Sequence, residues 1–284
     1  MKLFTDFQSM HVLVLISYFI GPIFTPATSR PKKIQTAVMQ IQRGVIEKCL
    51  PTDRTDSLPF INLIPDFLVQ PTGQTEQLVD SPIGNITEYL AYIPASYNTS
   101  PNKLWPLIIF LHGAGEIGTD INRVKNHGLP KELAQGENLD FIVISPQCNS
   151  GGWWSTPVLE NFLTQVLLKY NCNPKQIYLT GLSMGGIETW DWAIQDPDLF
   201  AAIMPVSATG KPENVGTLRE TPVWVFHGDQ DQTVPYAGDK AMVDALRLAG
   251  GNVKFTTIKG NHDIWDKVYN NREIFSWLIK NQLP

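Results

Sequence analysis

The chain has 284 residues, 43% hydrophobic and 17% charged, with a net charge of -5 and a pI near 5.5. This is the composition of an ordinary globular protein with room for one large domain, and its acidity offers no general attraction to nucleic acid. No G-x-x-x-x-G-K phosphate loop and no C-x-x-C pair occurs, and the histidines lack metal-ligand spacing, so no nucleotide, metal or other cofactor is expected.

At the amino terminus, the apolar run 11–24 has the length of a signal-peptide core and is short for a membrane span; Ala27-Thr28-Ser29 offers a small-residue cleavage site. Residues 1–29 are therefore expected to be a signal peptide of a secreted or periplasmic protein with no stable membrane association after its removal. Asp6 and a leading region with one Lys depart from the pattern. Residues 30–85 are the least readable: 36–49 has helical periodicity and 58–70 is apolar and punctuated by proline, which suits an N-terminal extension or edge strands. Asn85-Ile86-Thr87 and Asn98-Thr99-Ser100 are glycosylation sequons.

From Ile86 the pattern clears, and residues 86–284 read as one catalytic domain. Strands are expected at 88–93, 107–111, 141–145, 176–180, 201–206, 223–226 and 253–258, with helices at 157–170, 187–195, 236–249 and 265–281. The run Leu107-Ile108-Ile109-Phe110-Leu111 has no polar alternation, as expected of a strand covered on both faces. Strand and helix in alternation predict an α/β fold, a mostly parallel central sheet with helices on both faces. Of the three cysteines, Cys49, Cys148 and Cys172, the last two fall at opposite ends of their strands. The intervening helix carries the chain about 20 Å back across the sheet, so no bridge between them is expected.

Ligand sites in such sheets lie beyond the carboxyl ends of the strands, which selects four loops. Gly181-Leu182-Ser183-Met184-Gly185-Gly186 joins a strand to a helix and has the G-x-S-x-G form of a nucleophile elbow, with Ser183 at the apex. Two positions either side of a nucleophile on a strained turn leave no room for side chains, which accounts for Gly181 and Gly185. After the strand at 107–111, His112-Gly113-Ala114-Gly115-Glu116 can direct backbone NH groups at a ligand. The NH groups of Ala114 and Met184 are the expected oxyanion donors, one such donor being worth roughly 3–4 kcal/mol of transition-state stabilisation. His112 itself reads as a structural histidine.

After the strand at 223–226, the segment 227–235 holds two carboxylates, Asp229 and Asp231, either of which can orient a histidine. After the last strand, Lys259-Gly260-Asn261-His262-Asp263 places a histidine at the same edge. His11 lies in the leader, His112 and His227 belong to their turns, and His127 precedes the acid, so His262 is the expected base. Gly151-Gly152-Trp153-Trp154 lies on the same edge. Trp153 and Trp154 are candidate substrate-binding residues for an aryl or sugar-linked ester, with helix anchoring as the alternative. Trp190 and Trp192 read as packing residues.

On the segments 110–116, 181–186, 227–235 and 261–262 the sequence resembles the α/β-hydrolase superfamily, and within it the esterase and prolyl-oligopeptidase-like carboxylesterase branch, including feruloyl-esterase-like and polyhydroxybutyrate-depolymerase-like members. The resemblance covers about residues 86–280. It implies the α/β-hydrolase fold, and it places the acid on the second Asp of the H-G-x-x-D-x-x-V-P pattern, Asp231, leaving Asp229 and Asp263 aside. The expected catalytic set is Ser183, Asp231 and His262, cleaving a small-molecule or polymer-linked carboxylic ester through an acyl-enzyme. A serine peptidase and a non-catalytic binding protein on the same scaffold are the alternatives. The short segment 207–221 leaves no room for a large lid domain.

Overall fold

Eight strands form one sheet in the order β1-β2-β4-β3-β5-β6-β7-β8 in the computed structural model, which describes residues 69–149 and 151–284. The strands are β1 (Gly73–Ile83), β2 (Ile86–Ile93), β3 (Trp105–Leu111), β4 (Ile142–Cys148), β5 (Cys172–Leu182), β6 (Ala202–Val206), β7 (Val223–Gly228) and β8 (Val253–Ile258). β1 and β2 pair antiparallel, as do β2 and β4; every later pairing is parallel. The helices are α1 (Gly128–Ala134), α2 (Thr156–Lys169), α3 (Met184–Gln195), α4 (Tyr236–Leu248), α5 (Trp265–Tyr269) and α6 (Glu273–Lys280).

All seven residues of β3 are buried, and successive ones face opposite layers. Leu107, Ile109 and Leu111 pack with Leu159, Phe162 and Val166 of α2, Trp190 of α3 and Met242 of α4. Ile108 and Phe110 pack with Leu129 of α1, Val268 and Tyr269 of α5 and Phe275 of α6. A strand with an apolar layer on each side has no polar face to show, which is why its sequence does not alternate. α2 starts with a proline in its first turn, where no NH partner is lost, and buries Leu159, Phe162, Leu163, Val166 and Leu167 as one stripe.

Residues 73–83 form an edge strand, one of the two alternatives left open for 30–85, joined to β2 through Gly84 at φ 55. Two features differ from the expected elements. Between Leu111 and Ile142 lie two short 3-10 turns and the seven-residue α1, too brief to display a period. The helix expected over 265–281 is two: the side chain of Asn271 accepts from the backbone NH of Glu273 at 3.0 Å, restarting the helix as α6. Cys148 ends β4 and Cys172 begins β5; both are buried and free. The expected leader at 1–29, the segment 30–68 and Cys49 lie outside the described residues.

Candidate active site

The turn from β5 into α3 holds Ser183 at φ 52, ψ -116, a conformation that costs an L-residue on the order of 1–3 kcal/mol and survives only where its surroundings impose it. Here Ser183 NH donates to Val206 O at 2.9 Å and Ser183 O accepts from Ile187 NH at 2.9 Å. The flanking glycines answer to close approach. A Cβ on Gly185 would lie 2.0 Å from Leu111 O, and one on Gly181 would lie 2.4 Å from Gly185 O. The start of α3 thus packs directly on the end of β3, leaving Ser183 at the tip.

The loops after β7 and β8 meet it. His262 Nε2 lies 2.8 Å from Ser183 Oγ and His262 Nδ1 2.6 Å from Asp231 Oδ2. A carboxylate only accepts, so Nδ1 carries the hydrogen and Nε2 is left to accept from the serine hydroxyl. Asp231 Oδ1 takes NH groups from Thr233 at 2.9 Å and Val234 at 3.0 Å, fixing the carboxylate plane. Its side chain is fully buried, and the His262 ring, 17% exposed, packs edge-on to Trp265. Of the two acidic candidates, Asp231 thus reaches the histidine. Asp229 Oδ1 instead accepts from Gly260 NH at 3.0 Å, fastening one loop to the other, and Asp263 is exposed.

On the other side of Ser183 stands the 112–116 loop: a Cβ on Gly113 would sit 3.5 Å from Ser183 Cβ. Ala114 and Met184 occupy the first positions of a 3-10 turn and of α3, where backbone NH groups have no intrahelical acceptor. His112 is buried and holds the loop in place. Its Nε2 accepts from Cys148 NH at 3.0 Å and its Nδ1 donates to Gly113 O at 2.6 Å. Burial pushes its pKa down to about 4, against a smaller upward pull from the Gly113 carbonyl. The carboxylate of Glu116, raised in pKa by burial, accepts from Gly113 NH at 3.0 Å, and Arg123 Nη2 donates to Gly115 O at 2.6 Å.

The two tryptophans separate. Trp154 is buried; its indole NH donates to His112 O at 3.1 Å and its ring packs against that of His112, tilted by 56° with centroids 4.7 Å apart, so it braces the loop. This corrects the reading of Trp154 as a substrate wall: a side chain covered by the loop has no face left for a ligand. Trp153 is 55% exposed. Asn85, missed as a site residue because it reads as a sequon, donates through Nδ2 to Trp153 O at 3.1 Å and to Cys148 Sγ at 2.8 Å. The other sequon asparagine, Asn98, exchanges two hydrogen bonds with the backbone of Gln70. Two further residues escaped sequence reasoning. Ser207, at φ 50, donates its hydroxyl to His262 O at 3.0 Å and has no local signature. Asp239 lies beneath His227 and was detectable as a lone acid on the buried face of α4, in register with Met242, Val243 and Leu246.

A strand order of 1-2-4-3-5-6-7-8 with a Ser-His-Asp row at the carboxyl ends of β5, β8 and β7 is the arrangement of the α/β-hydrolase fold. More narrowly, residues 154–274 match the Phospholipase/Carboxylesterase family. The chain is 28% identical over 152 residues to a bifunctional acetylxylan esterase/xylanase from Neocallimastix patriciarum, covering 51% of this chain and 22% of that protein. It is 31% identical over 140 residues to feruloyl esterase B of Piromyces equi, covering 48% of this chain and 25% of that protein. The aligned part is thus about a quarter of the length of these relatives. Among solved structures, a thermostable esterase superposes with a TM-score of 0.66 at 29% identity, covering 74% of this chain and 63% of that one.

Proposed function

We propose that the chain is a serine carboxylesterase that hydrolyses acyl groups, acetyl or feruloyl, from plant cell-wall carbohydrate. The observation that carries the reading is the continuous hydrogen-bonded row from Ser183 Oγ through His262 to Asp231. Ser183 attacks the ester carbonyl while His262 Nε2 takes its proton, and Asp231 holds the tautomer and stabilises the imidazolium. The NH groups of Ala114 and Met184 receive the oxyanion, already oriented by a loop and a helix that need not move. His262 then returns the proton to the departing sugar or alkyl oxygen, and water attacks the acyl-enzyme by the reverse route. The relatives, an acetylxylan esterase/xylanase and a feruloyl esterase, support the choice of ester. A leader at 1–29 would deliver the enzyme outside the cell, where such polymers are.

The test is a fluorophosphonate probe followed by a panel of p-nitrophenyl acetate, methyl ferulate, acetylated xylan and peptide anilides. Wild type is labelled at Ser183 and turns over esters in preference to anilides; Ser183→Ala is not labelled and loses at least ~10⁴-fold in kcat with its fold intact. Near-normal turnover by Ser183→Ala, or anilides outpacing esters, sinks the proposal.

A further inference from the structure

Behind Asp231 lies a second histidine. His227, at the end of β7, is fully buried, as are the side chains of its acidic neighbours Asp231 and Asp239. Its Nε2 stands 2.9 Å from Val234 O and 3.1 Å from Asp231 Oδ2, the same oxygen that His262 engages from the other side. Its Nδ1 stands 2.8 Å from Asp239 Oδ2. Tyr236 of α4 approaches the ring edge-on at 5.6 Å, with its hydroxyl bonded to Thr257.

A donor and acceptor inventory settles the charge of this ring. A carbonyl oxygen can only accept, so Nε2 carries a hydrogen. On the other side, Asp239 already takes two NH groups, from Trp190 Nε1 at 2.8 Å on Oδ1 and from Ala208 NH at 2.9 Å on Oδ2. Both oxygens of Asp239 thus already act as acceptors, and the donor between it and the ring is Nδ1. Both ring nitrogens are then protonated. Burial works against the charged ring, but the hydrogen bond and charge of Asp239, the Val234 carbonyl and Asp231 outweigh it, and the pKa of His227 is raised.

We propose that His227 is a standing imidazolium clamped between Asp239 and Asp231, a positioning residue that holds Asp231 against His262 and offsets part of its charge. The inference rests on the reading of Asp231 and His262 as acid and base. Its consequence is a limit on how strongly Asp231 draws a proton onto His262. The pair His227–Asp239 presents its positive end to Asp231. Removing that end leaves Asp231 uncompensated, so His262 becomes protonated at higher pH and stops acting as a base sooner on acidification.

Two measurements test this. In full-length protein labelled with ¹⁵N-histidine, the ring that disappears in His227→Gln has both nitrogens protonated at pH 8; a bare nitrogen there overturns the proposal whatever the activity. In the second, the pH dependence of fluorophosphonate labelling at Ser183 is compared among wild type, His227→Gln and Asp239→Asn, the last keeping the ring but removing the anion that keeps it charged. The acidic limb moves up by about one pH unit in His227→Gln and by less, in the same direction, in Asp239→Asn. Should His227→Gln fail to fold, Asp239→Asn still decides, through its pH limb and because it identifies the His227 ring as the one that loses its second proton relative to wild type. Slower labelling with the limb in place reduces His227 to packing and overturns the proposal. A wild type that is never labelled overturns the catalytic reading instead, while the NMR result stands alone.

Discussion

Two histidines flank the Ser183 site, equally buried and in opposite states. His112, under the loop on one side, has a pKa pushed down to about 4; His227, behind the acid on the other, has one raised above the imidazole norm. Both are at most 1% exposed, so burial does not explain the difference. Partners do: the ring of His112 faces one NH and one carbonyl, a set that only the neutral form satisfies, whereas His227 faces a carbonyl and two carboxylates, a set of acceptors. The site is thus built by two different means. The side of His112 is held by shape and neutral hydrogen bonds, with glycines letting backbone meet backbone, and the side of His227 by alternating charges.

The comparison breaks most severely at the charged side. Asp231→Asn removes the carboxylate that both histidines share, and kcat should fall by about 10⁴-fold. Asp229→Asn, at a side chain that accepts from the Gly260 NH and not from His262, should stay within a few-fold of wild type in a parallel assay. A larger loss from Asp229→Asn would mean that the acid is misassigned.

The neutral side is sharpened by stability measured against pH. The pKa of His112 is lowered from 6.5 to about 4, so between these values the unfolded chain binds the extra proton, and acidification through that range costs up to ~3 kcal/mol of stability. His112→Gln, with one donor and one acceptor in place of the neutral ring, should abolish that dependence in urea titrations at pH 4.5 and 7.5. Glu188 on α3 opposes it. Burial raises its pKa from 4.5 to about 7, against a smaller lowering by the Thr156 hydroxyl bonded to Oε1 at 2.8 Å. Here the folded state holds the proton, so stability is present below pH 4.5 and lost as pH rises towards 7, again by up to ~3 kcal/mol. The two dependences run in opposite directions through the same interval. Glu188→Gln should therefore steepen the loss of stability on acidification and raise Tm at pH 8; an unchanged profile would refute the assignment of a neutral carboxyl.

The smallest effect is expected at the rim. Trp153→Ala, at the most exposed aromatic beside the neutral loop, should lower kcat/KM for methyl ferulate several-fold more than for p-nitrophenyl acetate. Equal losses on both would reduce Trp153 to packing.

Much of this molecule is written locally. The elbow around Ser183 was legible because a strained apex and a backbone-to-backbone approach leave only glycine at Gly181 and Gly185. The buried centre of the sheet was legible because a strand covered on both faces has no polar alternation. Elements without enough length or period were not: α1 spans seven residues, and the break between α5 and α6 rests on one asparagine side chain. β1 was ambiguous because an edge position leaves its residues only half-covered: exposure alternates over 75–80, but the half-covered face is mostly polar and the exposed face holds Leu78, so the residue types do not follow it.

Residue types in order along the chain were enough to nominate a nucleophile, an acid and a base, since each must follow a strand to reach the same edge. Distances across the chain were not available to that reasoning. Ser183 and His262 are 79 positions apart, and His262 and Asp231 are 31; packing of β5, β7 and β8 in parallel brings them within hydrogen-bond reach. The same packing turned Trp154 inward, gave Asp229 to a loop clamp, and set Asp239 beneath His227. Composition cannot reveal such assignments, because the charge and role of a buried side chain depend on which donors and acceptors the fold aims at it.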